Sequence, residues 1–259
     1  MTTFPDSLWT GIDYLGEAHG WPIHGSGAGL LTLAGFEKAS YFRRQSFWSE
    51  TPVIHLTTAL PENDHGEYTN VSESWNYPLG EKVLVKCYTN LKQAEFFLNG
   101  TSLGVYEKQA DCDCISFHTP FVPGELLAVG ITETLDVPAP RHCIYTTGTA
   151  CQMNLQAWKP AVTPCDNPQK LHQIEVTMLD TDGHRVYNDS TLLHVTVENG
   201  TLLGLENGDL ADVTEYTAHY RRALRGQLLI YVSAFHDAKS VTVRVTGEGT
   251  KAATLTLTL

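Results

Sequence analysis

From Pro52 onward, apolar positions recur with a period of two. The segments "VIHLTTAL", "EKVLVKCYTN", "AEFFLNGTSLGVY", "CDCISFHTPF" and "GELLAVGITE" alternate or run apolar over strand-like lengths, which predicts strands and not helices. Asn99-Gly100 stands between "AEFFL" and "TSLGVY", and both residues tolerate the positive φ values that a two-residue hairpin demands. Short strands at this spacing predict an immunoglobulin-like β-sandwich over residues 51–137, although no paired cysteines mark a true immunoglobulin domain. The segment "DVPAPRH" then puts two prolines into a short polar stretch and marks a domain boundary. A second series follows: "CQMNLQAW", "KLHQIEVTMLD", "TLLHVTVENG", "GQLLIYVSAF", "SVTVRVTG" and "ATLTLTL", with turns at Asp182-Gly183, Asn199-Gly200 and Asn207-Gly208. It predicts a second β-sandwich over residues 142–259.

Residues 1–50 follow neither pattern. They offer one short strand from Leu8 to Tyr14, a glycine-rich loop "GWPIHGSGAG" and a helix of about ten residues starting at Phe36. That helix would carry Phe36, Ser40, Arg43 and Phe47 on one face and Tyr41, Arg44 and Trp48 on another, so it is not cleanly amphipathic. One strand and one helix cannot close a core, and the segment reads as the end of a larger domain.

Composition narrows the function classes. With 259 residues, 42% of them apolar, the chain can bury a sizeable core without staples. No apolar run reaches membrane-spanning length, and the first residues lack a basic stretch followed by an apolar one, so neither a span nor a secretory signal is expected. Seventeen basic against 29 acidic residues give a formal charge of -12, which disfavours nucleic acid or an anionic membrane as partner. The six cysteines form no CxxC pair and read as reduced, mostly buried thiols, which points to the cytoplasm. The N-x-S/T patterns at Asn70, Asn99, Asn188 and Asn199 read as chance, two of them being Asn-Gly turns.

Candidate chemistry is sparse. Trp9, Asp13, Glu17 and Trp21 could line a sugar site, because indole faces stack on pyranose C–H faces while carboxylates accept hydroxyl hydrogen bonds; a buried strand with satisfied polar ends would look the same. Asp180 and Asp182 open like a calcium loop, but the third acid and the closing Glu are missing, and a turn is the better reading. Cys112, Cys114 and His118 lack a second thiol pair for zinc. "GSGAG" at 25–29 has no following Lys-Ser/Thr and reads as a plain loop rather than a phosphate cradle. Arg221 and Arg222 read as partners of nearby acids. No G-x-S-x-G and no distinctive Cys/His arrangement is present, so no catalytic residue, metal or cofactor is assigned.

The segments "WTGIDYLGE" (9–17), "GLLTLAGFEKASYFRRQSFW" (29–48), "TNLKQAEFFLNGTSLG" (89–104), "PGELLAVG" (123–130), "VTMLDTDGHRV" (176–186) and "LLGLENGD" (202–209) resemble, in this order, the C-terminal part of bacterial family 2 glycoside hydrolases of β-galactosidase type. The resemblance implies a mainly β chain: two immunoglobulin-like sandwiches in tandem, preceded by the last strand and helix of a (β/α)8 barrel. Leu8–Tyr14 would match the eighth barrel strand and Phe36–Phe47 the last barrel helix. Barrel enzymes carry their sites at the C-terminal ends of the strands, so Trp9 and Asp13 become candidate substrate contacts, Trp9 matching the family's Trp beside the sugar. Retaining glycosidases need two carboxyl groups about 5 Å apart, and in this family these lie on the fourth and seventh strands, outside the matched region. The chain is therefore expected to be an inactive structural region whose partner is the rest of that barrel, with oligomer contacts among its roles. The alternative is a carbohydrate-binding module using exposed aromatics such as Trp75, Tyr77 or Trp158; an independent enzyme using Asp13 or Glu17 is a third reading.

Overall fold

The computed structural model describes residues 8–60, 71–110, 112–132, 138–158 and 171–259. These form two compact units, one of residues 37–147, the other joining the residues through Phe36 to those from Gly148 onward. Strands dominate both, and no described helix is long and apolar enough to cross a membrane.

The 37–147 unit opens with the helix α1 (Ala39–Trp48), three residues later than expected, because Phe36 is committed elsewhere. Its strands are β3 (Ile54–Ala59), β4 (Lys82–Thr89), β5 (Gln93–Leu98), β6 (Thr101–Glu107), β7 (Cys114–Pro120), β8 (Glu125–Ile131) and β9 (Arg141–Tyr145). They form a three-stranded sheet in the order β3-β4-β7 and a four-stranded sheet in the order β6-β5-β8-β9, all antiparallel. One core joins Leu56, Val83, Val85 and Cys87 of the first sheet to Ala94, Phe96, Leu126, Ala128 and Ile144 of the second. The β5–β6 hairpin turns through Asn99 and Gly100, both at positive φ (50° and 77°), as the Asn-Gly pair predicts. The Asn99 side chain also bridges to the next hairpin, accepting from the Glu125 N–H and donating to the Pro123 carbonyl, each at 2.8 Å.

Every residue of β3 is buried, which a sheet with one solvated face would not produce. Helix α1 covers the outer face: Phe42 stacks on His55 with ring centroids 3.5 Å apart and planes 5° off parallel. This cover explains why the strand text "IHLTTA" alternates only weakly between apolar and polar residues. The helix itself is anchored by a 2.5 Å ion pair between Arg43 and Asp113, while Arg43 and Arg44 lie over the rings of Phe47 and Trp48 one turn on.

The other unit holds β1 (Tyr14–Gly20) and β2 (Ile23–Ser26), then β10 (Gln152–Ala157), β11 (Leu171–Leu179), β12 (Leu192–Glu198), β13 (Gly200–Glu206), β14 (Tyr220–Arg222), β15 (Gln227–Ala234), β16 (Ser240–Gly247) and β17 (Ala253–Thr258). The last eight make two four-stranded sheets, β10-β11-β15-β13 and β14-β12-β16-β17, around a core of Ile174, Val176, Leu193, Val195, Ile230, Val232, Val243 and their neighbours. β12 and β13 lie in different sheets, so Asn199, at φ 61°, turns a corner between sheets rather than closing a hairpin. Asp182-Gly183 does turn tightly: Asp180 Oδ1 accepts the N–H groups of Asp182 and His184, and Oδ2 that of Gly148. The aspartate that resembled a calcium ligand is thus occupied by backbone donors.

The strand expected at Leu8–Tyr14 is displaced. Only Ile12 makes a ladder contact there, a single parallel bridge to Leu31, and the regular strand β1 begins at Tyr14 and pairs back on β2. Backbone groups must find partners locally, and those of 11–13 find them on the chain's own return: Leu30 and Leu31 donate to the Gly11 carbonyl, and Asp13 donates to that of Leu31. The segment packs on the β10-β11-β15-β13 sheet of its own unit. Ala34 and Phe36 join Leu229 in a small buried cluster, where Phe36 meets Trp158 edge-on at 5.8 Å. Gly35, at φ 86°, makes this turn: Thr32 N donates to the Phe36 carbonyl while Thr32 Oγ1 accepts the Phe36 N–H.

Candidate functional site

The two sequence-predicted contacts, Trp9 and Asp13, have opposite surroundings. Trp9 is 77% exposed and Trp21 is 79% exposed, leaving both indole faces to solvent. Trp9 Nε1 donates to the Tyr14 hydroxyl at 3.0 Å, and that hydroxyl donates to Glu17 Oε2. An exposed aromatic edge with a hydroxyl and a carboxylate alongside is chemically suited to a sugar, whose C–H face stacks while its hydroxyls donate. Asp13, by contrast, is 4% exposed. Its Oδ1 accepts the Gly29 N–H at 2.9 Å, so this carboxylate pins the return of the chain beneath the aromatic edge.

The glycines of "GSGAG" are what permit that return, and the segment is not the plain loop its composition suggests. A Cβ at Gly29 would stand 2.2 Å from the Asp13 nitrogen, and one at Gly25 would stand 2.7 Å from the Tyr14 carbonyl oxygen and 2.8 Å from a Leu210 methyl. Gly29→Ala is expected to cost about 1–3 kcal/mol by overpacking against backbone that cannot retreat. Hydrogen exchange should then show lost amide protection at Asp13 and Leu31, with the β15 amides unchanged.

What holds the return from the other side is the motif "LENGDLAD". His24 N donates to the Leu210 carbonyl at 3.0 Å, and Gly208 lies so close to Thr32 that a Cβ would meet its side chain at 2.7 Å. Side chains in this motif fix the backbone two residues on: Asn207 Oδ1 accepts from Asp209 N, Asp209 Oδ1 from Ala211 N, and Asp212 Oδ1 from Thr214 N. Sequence reasoning took Asn207-Gly208 as a turn only; the succession of Asn and Asp two to three residues apart was the available sign of a built loop.

Beneath the loop, Arg221 is almost fully buried between two acids, 3.6 Å from Glu206 and 3.6 Å from Asp212, and donates to the Thr214 carbonyl. This is the pairing with nearby acids that its sequence context predicts. Burial pushes the Glu206 carboxyl above its ordinary value, outweighing the Gly208 N–H and the guanidinium. Burial acts the same way on Asp212, but hydrogen bonds from Thr214 and the charge of Arg221 win and hold it low. The triad therefore keeps one firmly ionised acid and one softened acid around a single cation.

In the 37–147 unit, His55 lies 3.3 Å from Glu73 and 4.4 Å, centroid to centroid, from His142, whose Nδ1 accepts the Leu56 N–H at 3.1 Å. Burial, and then the neighbouring His55, push the His142 imidazole down to about 4, against the pull of Glu73. A folded value below the ordinary 6.5 means the unfolded chain binds the proton more tightly. The neutral ring's contribution is thus complete above pH 6.5 and is lost as pH falls toward 4, a difference of about 3 kcal/mol. Denaturation curves at pH 7 and pH 5 should diverge for the native chain and converge for His142→Gln.

The aromatics proposed for a binding module are not platforms. Trp75 is completely buried, donates to the Val122 carbonyl and packs against Phe121 at 5.2 Å; Tyr77 bonds Thr58. Trp158 is half-buried and donates to Glu175 at 2.9 Å. The thiols offer little more: burial lifts Cys114 to about 12, and among the described residues no group of three metal-type side chains converges. Cys165 and residues 61–70 lie outside the described residues.

Comparison with known proteins gives this arrangement its setting. The family described as glycoside hydrolase family 2 C-terminal domain 5 matches residues 163–256, and a domain family of unknown function matches 80–137. A β-galactosidase of Bacteroides ovatus is 29% identical over 252 residues, covering 96% of this chain and 27% of that protein. The crystal structure of a glycosyl hydrolase family 2 member from Bacteroides cellulosilyticus superimposes with a TM-score of 0.82 at 26% identity, over 96% of this chain and 35% of that one. A β-glycosidase structure from Bacteroides vulgatus gives 0.82 at 26%, over 97% and 30%. The chain spans about a quarter of the length of the curated relatives it matches. In sequence and in fold, the chain is similar to the C-terminal parts of family 2 glycoside hydrolases.

Proposed function

We propose that the chain is a non-catalytic region of a family 2 glycosidase of β-galactosidase type, in which two immunoglobulin-like sandwiches support one edge of a sugar site. The observation that carries this reading is the mounting of the aromatic edge. Trp9, Tyr14, Glu17 and Trp21 sit on a segment pinned by Asp13 to Gly29 and held in turn by the Asn207–Thr214 loop. On this reading Trp9 stacks on the substrate sugar, and Asp13 acts through the backbone it positions rather than by touching substrate. The nucleophile and the acid come from a barrel domain, which is the partner the exposed edge faces.

A site with one wall cannot preorganise two carboxyl groups about 5 Å apart. The chain alone is therefore expected to show no turnover of nitrophenyl β-galactoside or related glycosides. Turnover that survives rigorous purification and disappears in Glu17→Gln would overturn the reading. In a longer protein containing this region, Trp9→Ala should raise KM and lower kcat/KM while leaving the melting temperature unchanged, since an exposed ring contributes little to stability.

A further inference from the structure

Within the unit that carries β10–β17, a cleft of about 300 Å³ opens beside β13 and Tyr216. Leu33, Leu203, Leu205, Glu206, Tyr216 and Tyr231 line it. Its volume is at the small end of the range for ligand cavities, sufficient for a single ring and not for a chain of them. Two rings and a carboxyl group define its chemistry. Tyr216 is partly exposed, and its other face is taken by the Arg221 guanidinium, 4.8 Å from the ring centroid. Tyr231 is held from behind by the Ala34, Phe36 and Leu229 cluster. Burial, and to a smaller extent the Glu206 carboxylate, raises both phenols above their ordinary values.

Charge and hydrogen-bond capacity select the class of ligand. Glu206, Asp212 and Arg221 sum to one negative charge, so an anion is repelled. A cation is poorly served too, since the guanidinium already occupies one face of Tyr216 and pairs with Glu206. Glu206 Oε1 is engaged by the Gly208 N–H and by Arg221, and an ionised carboxyl has further lone pairs that accept from hydroxyls. A neutral, polyhydroxylated ring with an apolar face meets all three conditions. We propose that this cleft binds one neutral pyranose residue, its C–H face against Tyr216 and Tyr231 and its hydroxyls on Glu206. Such a site is an accessory sugar subsite, and it holds or fails independently of the role assigned to the Trp9 edge.

The test is a titration of the full, isotope-labelled chain with methyl β-galactopyranoside and methyl β-glucopyranoside, followed by amide shifts. Saturable shifts are expected at Gly204, Leu205 and Tyr216. Tyr216→Ala should weaken the affinity about tenfold, the loss of roughly one stacking contact. Leu203→Trp, at a position 44% exposed, should fill the cleft and abolish the shifts while leaving the fold intact, which covers the case that Tyr216→Ala does not fold. Choline and methyl β-glucuronide serve as the cationic and anionic probes and should not shift these amides. No shift with either neutral glycoside, shifts confined to Trp9 and Trp21, or equal binding of choline or the glucuronide would each overturn the proposal.

Discussion

Replacing Arg221 by methionine should destabilise its unit by about 3–5 kcal/mol, the cost of stranding buried charge. The guanidinium is only 1% exposed and stands between Glu206 and Asp212, which are 8% and 12% exposed at their side chains. Methionine matches much of the volume, so the effect reports charge rather than packing. Without the cation, Glu206 can relieve part of the strain by taking up a proton, whereas Asp212, held ionised by Thr214 and Asn207, has less freedom to do so. The double variant Arg221→Met/Glu206→Gln should therefore recover part of the loss, and Arg221→Met should be less destabilising at pH 5 than at pH 7. Urea unfolding of the three proteins, monitored by amide exchange in β12 and β15, measures both expectations. Equal stability of the native chain and Arg221→Met would show that the triad contributes nothing to the fold.

The second large effect is expected in the other unit. Trp75→Ala should cost about 3–5 kcal/mol, as removal of a fully buried aromatic does. The indole is enclosed by Tyr77 and Phe121, whose rings lie 6.1 Å and 5.2 Å away, and its N–H reaches the Val122 carbonyl at 3.0 Å. Truncation leaves a cavity and an orphaned carbonyl together. Phenylalanine should restore most of the packing and none of the hydrogen bond, placing Trp75→Phe between the native chain and alanine. A glycan platform predicts the reverse pattern, with stability unchanged and sugar binding lost, so unfolding curves for the pair decide between core and binding surface.

Trp75 also shows where sequence pattern stops being informative. A tryptophan in a polar stretch, "SESWNYPLG", carries no periodicity that distinguishes a ring seated in a core from one offered to solvent. Its burial depends on Phe121, 46 positions along, and on Thr146, whose hydroxyl donates to the Trp75 carbonyl from across the unit. Trp9 is the converse. An equally aromatic stretch, "SLWTGIDYLGE", leaves its tryptophan exposed and buries its aspartate. The cleft lined by Glu206 and Tyr216 had no sequence signature, because its walls come from residues 33, 203–206, 216 and 231.

Local chemistry was decided by sequence alone wherever the cause lies within a few residues. Alternation predicted the strands, since side chains on a pleated backbone must face opposite ways. Asn99-Gly100 predicted its hairpin because few other pairs accept two successive positive φ values, and the ordered segments from "WTGIDYLGE" to "LLGLENGD" pointed to the family. The tertiary structure decided what those local pieces were used for. It started the helix at Ala39 instead of Phe36 because Phe36 found a partner in Trp158, and it moved the first strand to Tyr14 because residues 11–13 paired with their own return. It also made Asp13 a pin rather than an exposed acid. Partner choice is a competition among surfaces far apart in the chain, and it is resolved only when all of them are present together.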